Sequence, residues 1–287
     1  MKTNQSGCRV RLDRLIVNAV GERSSTLPEI DGFHLATDFR PRPQGRIATY
    51  ARVRSLRSAT SSSRIFIQHK PQQPWLKPWR IKLEGDDERG LTPREVGSVI
   101  AHCINHKVSL AEVAVDFDST VGVDMKFVMR HGKFGKSQRR TGEGWTEYLR
   151  YGSRGSAKMV RCYPKKQLDC YRTELEIHSG LLRKQRISRV RDLSTLVARL
   201  FPAHIQFVAI RWKKLTPYLI RKFGSDGERI CDETRRRAEV SLGRATRYLS
   251  AKGVPNPHRF LGPLRINRVV RAALRRWAER FSPEQLE

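Results

Sequence analysis

Three segments of the chain alternate so that ionisable groups collect on one surface. In LAEVAVDFD, Val113, Val115 and Phe117 point one way while Glu112, Ala114, Asp116 and Asp118 point the other, because side chains two apart on a strand share a face. In KMVRCYPK, Val160 and Cys162 oppose Met159, Arg161 and Tyr163; in YRTELEIHS, Tyr171, Thr173, Leu175 and Ile177 oppose Arg172, Glu174, Glu176 and His178. If the apolar faces share a core, Asp116, Asp118, Glu174, Glu176, His178, Arg161, Arg172 and Tyr163 gather on a single sheet surface. Carboxylates clustered where phosphate is to bind repel it unless a hard cation sits between, and oxygen ligands of this kind suit Mg²⁺ or Mn²⁺. Asp116, Asp118, Glu174 and Glu176 are thus the candidate metal ligands. A metal so held polarises a phosphoryl oxygen, an arginine neutralises developing charge, and a tyrosine is a nucleophile able to form a covalent phosphoester. A free phenol with a pKa of about 10 is ionised to roughly one part in a thousand at pH 7, so the tyrosine needs a metal or base to activate it. The same alternation also fits an ordinary solvated sheet face.

The whole-chain charge says what such a surface would meet. Fifty-seven Lys and Arg against 28 Asp and Glu leave +29 over 287 residues, and a body that basic repels itself unless a polyanion binds it. DNA is the expected partner, either duplex or single-stranded. Five cysteines without a CxxC pair fit a reducing compartment rather than a disulfide scaffold or zinc ribbon. No apolar run approaches the length of about eighteen residues that a membrane span needs, and MKTNQSGCRVRLDRL lacks the apolar core of a signal peptide. A cytoplasmic protein without membrane contact is expected.

The elements that must position these groups divide the chain into three stretches. Residues 1–63, rich in Ser, Thr, Pro, Gly and Arg, read as a basic, loosely organised region with at most a strand or two. Residues 64–211 read as a sheet domain: RIFIQ and WRIKLE are short strands around PQQPWLKP, and Thr92-Pro93-Arg94-Glu95 opens a helix extending to about His106. The three alternating segments follow, with WTEYLRYG among them and HIQFVAIRW after. Residues 212–287 read as basic and helical, with helices over 228–250 and 265–281. The expected class is α+β, an antiparallel sheet bearing the site on one face and helices on the other.

The segment 108–187 resembles the replication initiation factor family of rolling-circle plasmids and filamentous phages. AEVAVDFD is similar to that family's strand ending in aspartate, and YLRYGSRGS to its Tyr-x-Gly-Ser-Arg-x-Ser stretch. MVRCYPKK is similar to Arg-Ile-Tyr-Asp-Lys, and YRTELEIHSGLLRKQRI to Val-Arg-Val-Glu-Leu before a basic helix start. The resemblance implies a strand-specific nickase and joinase whose tyrosine takes a 5′ phosphate at a replication origin with a divalent metal assisting, and it favours a homodimer. It makes Tyr163 the nucleophile, Glu174 the metal or base carboxylate and Asp116 a second acidic member. Arg161 joins them as a catalytic cation, and Gly152 to Ser156 is placed close to the site. Cys162 and Pro164 depart from the pattern, and Pro removes a ladder donor.

The remaining basic residues divide into groups. Arg154, Lys165, Lys166 and Arg172 near the site, Lys136, Arg139 and Arg140 in the Gly-rich loop region, and Arg235, Arg236 and Arg237 in the helical part are the candidate DNA contacts. GKFGK lacks the ending of a phosphate-binding P-loop. Tyr148 and Tyr151, on opposite faces of one strand, are alternative nucleophiles or packing residues, and Tyr171 is assigned to the core. His102 and His106 share a helical face, where a zinc site is disfavoured. The competing reading is a non-catalytic sequence-specific DNA-binding protein or regulator derived from the same fold.

Overall fold

A computed structural model describes residues 8–21, 29–40, 49–86, 88–118, 128–130, 137–141, 146–153, 156–165, 168–240 and 242–281. The strands are β1 (Cys8–Gly21), β2 (Phe33–Phe39), β3 (Tyr50–Ser58), β4 (Arg64–Pro71), β5 (Trp79–Glu84), β6 (Cys103–Asp118), β7 (Val128–Arg130), β8 (Ser137–Thr141), β9 (Thr146–Tyr151), β10 (Lys158–Lys165), β11 (Cys170–His178), β12 (Ile205–Ile210) and β13 (Leu261–Pro263). The helices are α1 (Pro93–Ile100), α2 (Ser179–Lys184), α3 (Leu193–His204), α4 (Trp212–Phe223), α5 (Asp226–Val240), α6 (Leu242–Ala251) and α7 (Ile266–Arg280). Ten strands pair antiparallel in the order β2-β3-β4-β5-β1-β6-β11-β10-β9-β8, and β13-β12-β7 form a smaller sheet. The class is α+β, as expected.

Two expectations are corrected. The described residues of the first stretch form three strands, β1, β2 and β3, rather than one or two, and β1 lies mid-sheet between β5 and β6. Its short apolar runs are core residues, since Val10, Leu12, Leu15, Val17 and Ala19 are all buried. The first helix stops at Ile100 rather than near His106. Its start is as read, with Thr92 Oγ1 accepting from the Glu95 N–H at 3.2 Å and Glu95 Oε2 accepting from the Thr92 N–H at 2.8 Å. From Cys103 onward the chain is captured by β6, which pairs with β1 and β11, so Ile104 ends up 61% exposed despite its helical spacing. Ladder pairing along a long strand outweighs a helix propensity spread over a few residues.

Helices cover the apolar face. Phe201 of α3 and Val270, Leu274 and Trp277 of α7 join Val113, Val115, Phe117, Val160, Leu175 and Ile177 of the sheet in one core. Burying each such large side chain contributes about 1.5–3 kcal/mol. A second cluster joins Leu215, Leu219, Ile230, Leu242, Ala245 and Leu249 of α4, α5 and α6 to Val208 and Phe260.

The pairing of β1 with β6 is irregular near Asp13. Leu12 pairs with Val113 and Arg14 with Glu112, which leaves Asp13 as the extra residue of a β-bulge. The loop 85–91 holds the bulge from the side: the Gly85 N–H donates to Asp13 O at 2.8 Å and the Leu91 N–H to Leu12 O at 2.7 Å. Asp86 ties that loop down, its carboxylate accepting from Ser62 N–H (3.0 Å), Ser62 Oγ (2.7 Å) and Glu88 N–H (2.8 Å). Gly90 has φ +71°, and a Cβ there would lie 2.8 Å from Arg11 Cβ and 2.9 Å from Leu12 O. Gly32 has φ +77° with nothing near its missing Cβ. Gly90→Ala is therefore expected to cost about 3 kcal/mol, backbone strain plus displacement of the bulge, and Gly32→Ala only about 1 kcal/mol. Equal losses in urea denaturation would show that the loop does not clamp the bulge.

Candidate active site on the polar face of the sheet

The pairing register sets three rows of side chains across β1, β6, β11 and β10. They run Arg14, Glu112, Glu176, Met159; then Arg11, Ala114, Glu174, Arg161; then Arg9, Asp116, Arg172, Tyr163. Tyr163, Arg161, Glu174, Glu176, Arg172 and Asp116 thus share one face, as strand alternation predicts. That face is itself buried, with Glu112, Asp116, Arg172 and Glu174 each no more than 3% exposed. Charges so far from water persist only when paired.

Two ionic groups divide the face. In the first, the Tyr163 hydroxyl donates to Glu174 Oε1, and Arg161 bridges Glu112 and Glu174, its Nε lying 2.7 Å from Glu174 Oε2. Arg14 Nη1 stands 3.3 Å from Glu112 Oε2. Burial pushes the Glu112 carboxyl up to about 7, with neighbouring Glu174 adding to the rise. Burial also raises Glu174. The Tyr163 phenol is raised above its ordinary value by burial first and then by the adjacent Glu174 charge. In the second group, Arg172 forks onto Asp116 through Nε and Nη2 at 2.7 and 3.0 Å and reaches Asp13 Oδ2 through Nη1 at 2.8 Å, while Arg11 also pairs with Asp116.

The expected metal set and the carboxylates that converge overlap at Glu174. Asp116, like Glu112, is spanned by two guanidinium groups, but among the described residues it joins no cluster of three acidic side chains. Glu176 is engaged by His178 Nε2 at 2.5 Å. The carboxylates that converge are Asp13, Glu112 and Glu174, each offering an oxygen within 4.8 Å of the others. Glu112 Oε2 and Glu174 Oε2 each already face a guanidinium, Arg14 Nη1 at 3.3 Å and Arg161 Nε at 2.7 Å, and three hard oxygen donors of this kind fit a divalent cation. Alternation had already put Glu112 on this face. Asp13 escapes the sequence reading because residues 1–63 read as loosely organised, and within β1 it stands at the bulge, outside strict period two. Its sequence signal is the three-residue spacing of Leu12 and Leu15, both wholly buried, where a regular strand separates core residues by two.

Other expected site residues fall as follows. Arg172 is too buried to meet DNA and serves the ionic network instead. Lys165 sits half-buried at the end of β10. Asp118 at the end of β6 and Arg139 and Arg140 on β8 are placed by backbone only, and Arg154, Lys166 and Lys136 lie outside the described residues. Arg235, Arg236 and Arg237 are exposed on α5. They pair with Asp232 and Glu233, and Arg235 and Arg237 lie against the Trp212 and Tyr248 rings at 5.3 and 4.5 Å. Cys162 faces the core fully buried, where desolvation holds its thiol up at about 12. Pro164 lies beyond the last residue of β10 that pairs with β9, Cys162, so its missing N–H interrupts no bond of that ladder. Tyr148 faces Tyr163 with ring centroids 6.5 Å apart, whereas Tyr151 and Tyr171 pack against the apolar core.

No protein-family model and no curated protein matches the chain. Among solved structures it is similar to a rolling circle replication initiator protein from Geobacillus stearothermophilus, at 16% identity over 70% of this chain and 87% of that one, with a TM-score of 0.39. So low a TM-score leaves the chemistry to be judged from this chain's own geometry. Among the described residues, no helix is long and apolar enough to cross a membrane.

Proposed function

We propose that this chain is a DNA strand-transfer enzyme of the replication-initiator type, nicking and rejoining a strand through Tyr163. The observation that carries the reading is the hydrogen bond from the Tyr163 hydroxyl to Glu174, one of three converging carboxylates in a chain of net charge +29. Glu174 is placed to take the phenolic proton as Tyr163 Oη bonds to the phosphorus of a backbone phosphodiester. The phosphorus–O3′ bond breaks, the 3′ oxygen takes up a proton, and a 5′-phosphotyrosine and a 3′ hydroxyl result. Attack by the 3′ hydroxyl on the phosphotyrosine reverses the step and rejoins the strand. Arg161, beside both Glu112 and Glu174, supplies fixed positive charge near the equatorial oxygens. Asp13, Glu112 and Glu174 would hold a divalent cation such as Mg²⁺ or Mn²⁺, which supplies Lewis-acid polarisation of the phosphoryl group. Tyr148 lies alongside the nucleophile, its ring centroid 6.5 Å from that of Tyr163.

A second reading, a DNA-binding regulator with a silent site, draws support from the ion pairs that Arg161 makes with both glutamates. The two readings separate on covalent chemistry. Incubated with single-stranded or supercoiled DNA carrying the replication origin and Mg²⁺ or Mn²⁺, the wild-type chain is expected to form a covalent protein–DNA adduct that survives denaturing gel electrophoresis. Glu112→Gln and Glu174→Gln are expected to reduce adduct formation at least about 100-fold, since general base and metal contributions are each of that order, without weakening DNA binding in EDTA. Full activity in excess EDTA would remove the cation from the mechanism, and no adduct with any origin-bearing DNA would leave the regulator.

A further inference from the structure

One row along from the Glu112–Glu176 pair, the ionic face of the sheet turns apolar. Ile16 of β1 pairs with Leu110 of β6, and Leu110 with His178 of β11. Adjacent rows on one face are about 7 Å apart, so this apolar floor is next to the proposed active site. A cavity of about 430 Å³ stands over it, walled by Arg80 of β5, by Lys77 and Trp75 of the segment between β4 and β5, and by His178. Trp75 is 74% exposed, the most exposed of the large hydrophobic side chains among the described residues. Exposed aromatic surface needs a reason, and here the ring lies at the mouth of a concavity flanked by two cations.

We infer that this cavity receives an unpaired nucleobase of the DNA strand that crosses the sheet face, stacked by Trp75 over the Ile16–Leu110 floor, with Arg80 and Lys77 on its flanking phosphates. A flat apolar floor, an aromatic edge and cations at the rim match what a base and its phosphates present, and the volume falls in the range that holds a nucleotide-sized ligand. A duplex cannot use such a site without extruding a base, so the cavity makes the surface selective for single strands. His178, hydrogen-bonded to Glu176, links the cavity to the row that carries Glu112. This inference rests on the reading of the face as a DNA surface, but not on tyrosine chemistry.

The test measures binding of the full-length protein, without added metal, to a fluorescein-labelled oligodeoxynucleotide as a single strand and as a duplex. Trp75→Ala is expected to weaken single-strand binding about tenfold, the loss of one stacking contact, and duplex binding less than about twofold. Trp75→Phe should recover most of the loss, and Arg80→Gln should weaken single-strand binding by a smaller factor. Trp75 is exposed, so its replacement leaves the core intact. Unchanged single-strand affinity in Trp75→Ala, or equal loss for single strand and duplex, would overturn the pocket. Adduct formation by the wild type is scored separately. Failure there removes the nickase and leaves the binding result standing, whereas adducts formed by a protein indifferent to Trp75 remove the pocket alone.

Discussion

Tyr163→Phe is expected to abolish covalent adduct formation with origin DNA while leaving DNA affinity within about twofold of wild type. The substitution keeps the ring beside Tyr148 and removes only the hydroxyl that donates to Glu174. Among the described residues, no other hydroxyl on this face donates to that carboxylate. Tyr148 is the informative control, because its ring centroid is 6.5 Å from that of Tyr163 and it lies on the same face. Tyr148→Phe should retain adduct formation at a reduced rate. Reversal of the two outcomes would transfer the nucleophile to Tyr148, and normal nicking by both variants would exclude tyrosine attack from this site. Burial and then the Glu174 charge hold the Tyr163 phenol above its ordinary value, so attack requires the proton to pass to Glu174 as the phosphorus–oxygen bond forms rather than beforehand.

The second large effect is on stability. Arg172 is 2% exposed and holds Asp116 through two hydrogen bonds and Asp13 through a third. Arg172→Met keeps an unbranched apolar stem but leaves Asp116, among the described residues, with the Arg11 pair and takes the Arg172 cation from Asp13. Breaking a buried pair by removing one partner costs about 3–5 kcal/mol. Urea denaturation should show that loss, while Arg235→Met, which breaks an exposed pair on α5, should cost less than about 1 kcal/mol. A loss below about 1 kcal/mol in Arg172→Met would mean that the network adds no stability and that its balanced charges serve only to shape the face. The variant also tests Asp13 indirectly, since a displaced Asp13 should weaken cation-dependent cleavage in whatever fraction remains folded.

Much of the site could be read from the chain because strand alternation is local. Whether Glu174 and Leu175 point to opposite sides depends on the backbone pleat at those two residues, and the three alternating segments sorted Tyr163, Arg161, Glu174, Glu112 and Asp116 onto one face before any partner was known. The same locality explains the capped start of α1. Its early end was not legible, since β6 forms only when β1, about ninety residues earlier in the chain, is there to pair with it.

By itself, then, the sequence determined the α+β class, the basic surface and the polar face with its tyrosine, all of which follow from composition and short-range periodicity. Tertiary structure alone decided how the charges divide. Arg172 reaches Asp13 across 159 residues of chain, and Arg172 and Arg11 together hold Asp116, while Asp13, Glu112 and Glu174 converge. Asp13 enters the site through a bulge clamped by the loop 85–91, and the apolar floor beneath Trp75 exists only where β1, β6 and β11 align in register. Such choices depend on which strands are neighbours and on a one-residue slip in their pairing, and a local pattern carries information about neither.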